Sequence, residues 1–225
     1  MDELTKVFGI GPAKAKLLIE THNIKNIKEL RKAVKRREND KLLTDAQKIG
    51  LELYEDFLER IPRNEMLLHK KVLNLKKNEG QIVGSFRRGL PDSGDIDVML
   101  NMSVKEFNNY ISYLISKGYI THILAQGDKK ILGVCRLNED SMYRRIDLIR
   151  NTPEEYPYML LYFTGSMEFN IAFRQHSLSL GLSLNEHGFK PAIYGLKTEK
   201  DIFNFLNLKY VTPKKRINSS SLKKI

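Results

Sequence analysis

Asp95 and Asp97 are separated by one isoleucine in a run, Asp95 to Leu100, with the alternation of a half-buried strand. Successive side chains of a strand point to opposite faces. Both carboxylates therefore share one face with Met99, and Ile96, Val98 and Leu100 share the other. Two carboxylates that close repel each other unless a cation sits between them. Mg²⁺ favours such a site: hard oxygen donors, few carboxylates, and substrate phosphates to complete the shell. A third carboxylate, Asp147, lies in Arg144-Arg145-Ile146-Asp147-Leu148-Ile149. There Ile146 and Leu148 point to a core, and Arg145 shares the face of Asp147. Three carboxylates converging from two strands can hold two metal ions. One lowers the pKa of an attacking hydroxyl, and the other neutralises a triphosphate and its leaving group in an in-line displacement. Upstream, Gly84-Ser85 offers backbone N–H groups that phosphate oxygens can approach, and Arg88 offers a forked cation suited to phosphate. Taken alone, Asp-x-Asp reads more readily as a solvated strand edge. The Gly-Ser about ten residues earlier shifts that balance.

The elements that must position these groups follow from spacing. The first sixty or so residues read as helical, broken at Phe8-Gly9-Ile10-Gly11-Pro12, with a helix from Ala13 to Glu20. Thr44 with Gln47 predicts a capping box ahead of Ala46, Ile49, Leu53 and Phe57 at helical spacing. Ile61-Pro62 marks a boundary, since the residue before proline is pushed out of the helical region. From Arg63 a second amphipathic helix is expected, with Leu68, Val72 and Leu75 on one side. Strands are expected at Gln81 to Val83, Asp95 to Leu100, Ile131 to Leu137 and Arg144 to Ile149, and a helix through Phe107, Ile111 and Leu114. Beyond Pro153, helices mix with short extended pieces, and the stretch from Pro213 through Ser221 reads as a frayed basic tail. The order predicts a mixed α/β (α+β) chain: a helical module at 1–61, a central sheet at 62–153 and a smaller α/β module at 154–225.

Composition narrows the class. Lysine and arginine total 38 against 27 acidic residues, a net charge of +11, which suits a polyanionic partner or a merely soluble basic surface. The single cysteine, Cys135, sits in an apolar run and reads as a core residue in a reducing compartment. No apolar stretch reaches the ~20 residues that span a bilayer, and the N-terminus has no signal-peptide layout. A soluble intracellular protein without membrane association is expected.

The segments Gly84-Ser-Phe-Arg-Arg-Gly89, Ser93-Gly-Asp-Ile-Asp-Val98, Arg144-Arg-Ile-Asp147 and Leu161-Tyr-Phe-Thr-Gly-Ser166 occur in an order that resembles family X of the DNA polymerases, the polymerase beta type. Val7-Phe-Gly-Ile-Gly-Pro12, Arg60-Ile-Pro-Arg63, Gly133-Val-Cys135 and Lys200-Asp-Ile-Phe203 extend the resemblance over almost the whole chain. It implies a helix-hairpin-helix module, a nucleotidyltransferase-type palm and a nucleotide-selecting thumb. The implied activity is template-directed addition of dNMP to a primer 3′-OH in short-gap repair. Its implied partners are dNTP and gapped or primer–template DNA, and the enzyme would be monomeric. Two Mg²⁺ ions are implied, with Mn²⁺ as a substitute, on Asp95, Asp97 and Asp147, with Arg145 near the primer terminus. Gly84, Ser85, Arg88 and Gly94 would hold the triphosphate, with Arg60 assisting. Tyr162, Phe163 and Gly165 would pack on the sugar, Asn170 would reach the base, Arg174 the template, and Glu186 would support thumb closure. Gly9 and Gly11 would contact DNA phosphates, and carbonyls of Thr5, Val7 and Ile10 would hold Na⁺ or K⁺. A nuclear location would follow in a eukaryote, cytoplasm or virion for a virus.

Without that resemblance, Tyr162-Phe163 reads as ordinary core aromatics, Asn170 and Arg174 as an exposed polar stripe, and Gly9-Ile-Gly11 as a plain turn. The chain departs from polymerase beta in three ways. It starts just ahead of the hairpin, so the family's lyase domain and lyase activity are not expected. The link between Asp97 and Asp147 is shorter. Met167 and Ile171 stand where that enzyme carries Asp and Lys. Two other functions compete: nucleotide addition without a template, and DNA binding without catalysis.

Overall fold

The computed structural model describes residues 2–36 and 41–225. In the N-terminal part, a 3₁₀ turn at Leu4–Lys6 leads through Gly9 and Gly11 into α1 (Pro12–His22), followed by α2 (Ile27–Val34), α3 (Asp45–Glu52) and α4 (Tyr54–Leu58). Pro12 opens α1, where its missing N–H costs nothing. Thr44 and Gln47 form the expected capping box. The helix expected through Phe57 divides at Leu53, whose φ of −95° and ψ of 23° separate α3 from α4. Leu4, Val7, Ile10, Leu18, Leu30 and Leu51 lie in the core of this part.

The centre is a five-stranded sheet in the order β2-β4-β7-β6-β5: β2 (Gly80–Ile82), β4 (Ile96–Leu100), β5 (Ile120–Gln126), β6 (Lys130–Cys135) and β7 (Arg144–Arg150). Only β4 and β7 run parallel, with Asp97 directly opposite Asp147. Two-residue strands β1 (Ile61–Pro62) and β3 (Asp92–Ser93) pair beside it. On one face, Ile96, Val98, Leu100, Ile146 and Leu148 pack under α5 (Arg63–Leu73) and α7 (Val104–Ser116). On the other, Met99 is also buried, with Val83, Ile149, Met159 and Leu160. The carboxylate face of β4 is thus dry at its far end. Cys135 is buried, as expected of a core thiol.

The side of α5 that faces the core is not the expected one. Met66, His69 and Leu73 are buried, while Leu68 and Val72 stay 48% and 39% exposed. Both sets fit helical spacing, so tertiary partners decide. The Nδ1 atom of His69 lies 2.8 Å from the Tyr119 hydroxyl, which partners one ring nitrogen inside the core, while Nε2 has no hydrogen-bond partner.

The C-terminal part comprises α8 (Tyr156–Thr164), α9 (Met167–Ser179), the hairpin β8–β9 (Ser183–Asn185, Gly188–Lys190) and α10 (Glu199–Phe205), around Phe169, Phe173, Phe203 and Leu206. The expected frayed tail is instead docked. Arg216 is 1% exposed, ion-paired to Glu199 at 2.5 Å and set among the rings of Phe169, Phe203 and Tyr210. The Ser166 hydroxyl donates to the carbonyl of Ile217, and Lys209 N–H donates to Lys223 O at 2.8 Å. Low apolar content predicted fraying because that reading assigns Arg216 to solvent. A buried carboxylate partner reverses it. No helix among the described residues is long and apolar enough to cross a membrane.

Candidate active site

A four-residue helix, α6 (Gly84–Arg87), begins where β2 ends, and the C-terminal end of β2 lies beside β4. The Val83 N–H donates to the Asp97 carbonyl at 2.8 Å, which locks this turn to the carboxylate strand. Gly84 has φ +56°, and a Cβ there would fall 2.3 Å from Asp97 Oδ2. Glycine is required on both counts. Arg63, in the first turn of α5, holds the far side of the turn: its guanidinium donates to Phe86 O at 3.0 Å and Leu90 O at 3.2 Å and stacks over the Phe86 ring.

Above this turn opens a cleft of about 520 Å³. Its first wall carries Arg60, Gly84, Ser85, Arg88, Gly94, Asp95 and Asp97. Its second wall, from α8 and α9, carries Tyr162, Phe163, Gly165, Asn170 and Arg174, with Met167 and Ile171, and Leu90 completes the lining. Residues more than a hundred positions apart therefore share one cavity. Arg88 bridges the walls by donating to Thr164 O at 2.7 Å. Arg60 is held by Asp92 at 2.5 Å, the Ser85 hydroxyl donates to Ser93 at 2.8 Å, and the Asn170 amide donates to Tyr162 O at 2.7 Å. Tyr162 and Phe163 meet edge to face.

The carboxylates carry the electrostatic strain of the site. Burial, reinforced by Asp95 and Asp147, pushes Asp97 up to about 7. Burial also raises Asp95, against the opposing charge of Arg145. Arg145 reaches Asp95 at 3.1 Å, and Lys130 reaches Asp147 at 2.7 Å. Each outer carboxylate is thus turned to a cationic side chain, and among the described residues no three acidic, histidine or cysteine side chains form a ready cation cage. The backbone register nonetheless sets Asp97 against Asp147, two carboxylates whose mutual repulsion a bound cation would relieve. The donor set suits Mg²⁺ once Lys130 and Arg145 turn away.

Other expected residues lie elsewhere. Gly9 (φ +78°), Gly11, Thr5, Val7 and Ile10 sit in the N-terminal part. There Val7 O accepts from the Ile10 N–H at 3.0 Å, and Gly9 O accepts from the Gln47 amide at 2.7 Å. Glu186 is only partly exposed and reaches His187 at 3.9 Å. Its neighbourhood is held by Glu155, which binds both His187 and Lys129 at 2.8 Å. Of the basic residues that could meet DNA phosphates, Arg37 lies outside the described residues.

Sequence reasoning missed Lys130, Arg63 and the pair Arg87–Glu199 at 2.7 Å, which ties α6 to α10. A lysine two residues before Leu132, the residue opposite Asp147, carried no signal until the β6–β7 register was known.

Three family models tile the chain: the fingers domain of DNA polymerase lambda over residues 2–58, the DNA polymerase beta palm over 60–153 and the DNA polymerase beta thumb over 159–217. The rat (Rattus norvegicus) DNA polymerase lambda is 35% identical over 205 residues, covering 77% of this chain and 36% of that protein. The DNA polymerase lambda of Arabidopsis thaliana is 28% identical, covering 94% of this chain and 45% of that protein. The chain thus spans less than half the length of these curated relatives. The crystal structure of Leishmania infantum polymerase beta in a ternary P/T complex superposes with a TM-score of 0.86 at 28% identity, over 96% of this chain and 97% of that one.

Proposed function

The chain belongs to family X of the DNA polymerases, and on that premise we propose that it is a template-directed DNA polymerase that fills short gaps. The substrates are dNTP and a gapped or primed duplex. The observation that carries this reading is the cleft that joins the Gly84 turn and Asp95–Asp97 on one wall to Tyr162, Phe163 and Asn170 on the other. The primer 3′-oxygen attacks the α-phosphorus, the bond to the β,γ-pyrophosphate breaks, and the hydroxyl proton leaves toward the carboxylates. Two Mg²⁺ ions, or Mn²⁺ in their place, would bind Asp95, Asp97 and Asp147, lowering the pKa of the hydroxyl and neutralising the leaving pyrophosphate.

The chain's own residues orient the reactants. Arg88, already anchored on Thr164 O, presents its remaining N–H groups to the triphosphate, with backbone N–H groups near Ser85 beside it. Arg60 and Gly94 complete that wall. Tyr162, Phe163 and Gly165 crowd the sugar, and Asn170, held by Tyr162 O, faces the base edge. Arg145, which shares the strand face of Asp147, lies near the primer terminus and steadies it. Residues 1–61 grip duplex phosphates through the Gly9–Gly11 hairpin, 62–153 carry the catalytic palm, and 154–225 select the nucleotide. Thr5, Val7 and Ile10 carbonyls would hold Na⁺ or K⁺ there, and Arg174 the template. The enzyme acts as a monomer, in the nucleus of a eukaryotic host, or in the cytoplasm or virion of a virus.

The test is primer extension on a one-nucleotide gap with each dNTP and rNTP offered singly, beside a blunt single strand. Only the complementary dNTP should be added, and only on the gap. Equal extension of the single strand would replace this reading with untemplated addition. Asp147→Ala should lower incorporation by at least ~10³ at 1.36 kcal/mol per decade, with DNA binding kept. A mutant turning over like wild type would refute the role.

A further inference from the structure

The central sheet ends at β2, which pairs with β4 on one side and with no strand on the other among the described residues. The Val83 N–H donates to Asp97 O, and the Asn101 N–H to Glu79 O, both at 2.8 Å. In an antiparallel pair such bonds recur at alternate residues. Glu79, Gln81 and Val83 therefore bond toward β4, while Gly80 and Ile82 turn their backbone groups to the open edge. The Gly80 N–H is taken by Lys76 O at 3.3 Å. Gly80 C=O and the N–H and C=O of Ile82 are left for a partner.

A groove of about 380 Å³ runs along this edge and shares no lining residue with the cleft. Leu73 and Leu75 line it on the α5 face of the sheet. Tyr156 lines it on the other face, its hydroxyl accepting from the Gln81 amide at 3.0 Å. Lys70 and Lys77 complete the wall; both are exposed, neither meets a carboxylate among the described residues, and no acidic side chain joins the lining. These features constrain the occupant. A strand edge with two acceptors and a donor matches another extended backbone. Phosphate offers acceptors alone, so a nucleic-acid backbone would leave both carbonyls unmet. A second copy of this edge would bring its own Lys70 and Lys77 against the first pair, and like charges repel.

We infer that the β2 edge docks an extended acidic segment of a partner protein. The segment adds a strand beside β2, sets an apolar side chain on Leu73 and Leu75, and lays its carboxylates against Lys70 and Lys77. This inference is independent of the chemistry in the cleft.

The experiment titrates the full chain into fluorescein-labelled Glu-Glu-Val-Thr-Val-Thr-Glu-Glu, read by anisotropy, beside the peptide with Lys in place of Glu. The acidic peptide should bind at least about tenfold tighter than the basic one. Lys77→Glu should weaken the acidic peptide and strengthen the basic one, and Leu75→Asn should weaken the acidic peptide. Only one edge of an added strand faces β2, so N-methylation of one alternate set of peptide amides should abolish binding and of the other set leave it intact. The Ile82 N–H should gain protection from hydrogen exchange. Equal binding of the two peptides, or equal loss from both methylated sets, would overturn the proposal. Displacement of the peptide by oligothymidylate, with Lys77→Glu weakening both alike, would make this a nucleic-acid groove instead. Dimerisation of the free chain that Leu75→Asn abolishes would assign the edge to a second copy and equally overturn it.

Discussion

Glu199 is the residue whose loss should cost the fold most for a single carboxylate. It is 5% exposed and accepts from Arg87 at 2.7 Å and Arg216 at 2.5 Å. Burial alone would raise its pKa, but those two guanidinium groups outweigh burial and hold it below the usual carboxylate value. Glu199→Ala strands both cations. Arg87 keeps Thr164 Oγ1 at 2.6 Å, and Arg216 keeps Val211 O at 3.0 Å and three aromatic rings, but its Nη2 already lacks a partner. Removing one member of a buried ion pair costs about 3–5 kcal/mol. For a chain of this size, that lowers Tm by about 6–20 °C, at roughly 2–4 °C per kcal/mol. Arg216→Met should cost far less, because it places an apolar chain among the same rings and leaves Arg87–Glu199 intact. The chain has no tryptophan, so thermal melts are followed by far-UV circular dichroism. A Glu199→Ala melt within about 3 °C of wild type, or an Arg216→Met melt equally low, would refute the buried-network argument.

Three further outcomes follow from the geometry. Burial pushes His69 down to about 4 from 6.5. The unfolded chain therefore takes up a proton that the folded chain refuses as pH falls from 6.5 to 4, and the wild-type advantage over His69→Gln in urea unfolding should shrink by about 3 kcal/mol across that window. A difference independent of pH would contradict it. Gly84→Ala should displace the Asp97 carboxylate and lower incorporation about 10²-fold, whereas Ala tolerated at full activity would mean the turn is not held as described. Binding to gapped DNA should give a log–log salt slope near −4 to −5 if about four to six phosphates are engaged, with Lys14, Lys16, Arg36, Lys70, Lys71, Lys214 and Lys215 as candidates and the buried Arg216 excluded. A slope near zero in fluorescence titrations across a salt series would refute sequence-independent phosphate binding.

Residue type and spacing determined the parts of this protein that depend on local physics. Period-two alternation set Asp95 and Asp97 on one side of their strand, because successive strand side chains must oppose. Thr44 and Gln47 announced a helix start through their own hydrogen bonds. Ordered motifs carried the family resemblance and the residues of both cleft walls. The tertiary structure decided what depends on partners distant in the chain. Met66, His69 and Leu73 rather than Leu68 and Val72 face the core from α5, because both rows have helical spacing and only distant partners, such as Tyr119 and the apolar face of the sheet, distinguish them. Arg216 is buried rather than frayed, because a charge goes inside when a carboxylate 17 residues away meets it there. Lys130 meets Asp147 only through the register of β6 on β7. Such pairings are energies between segments, and no periodicity within one segment contains them.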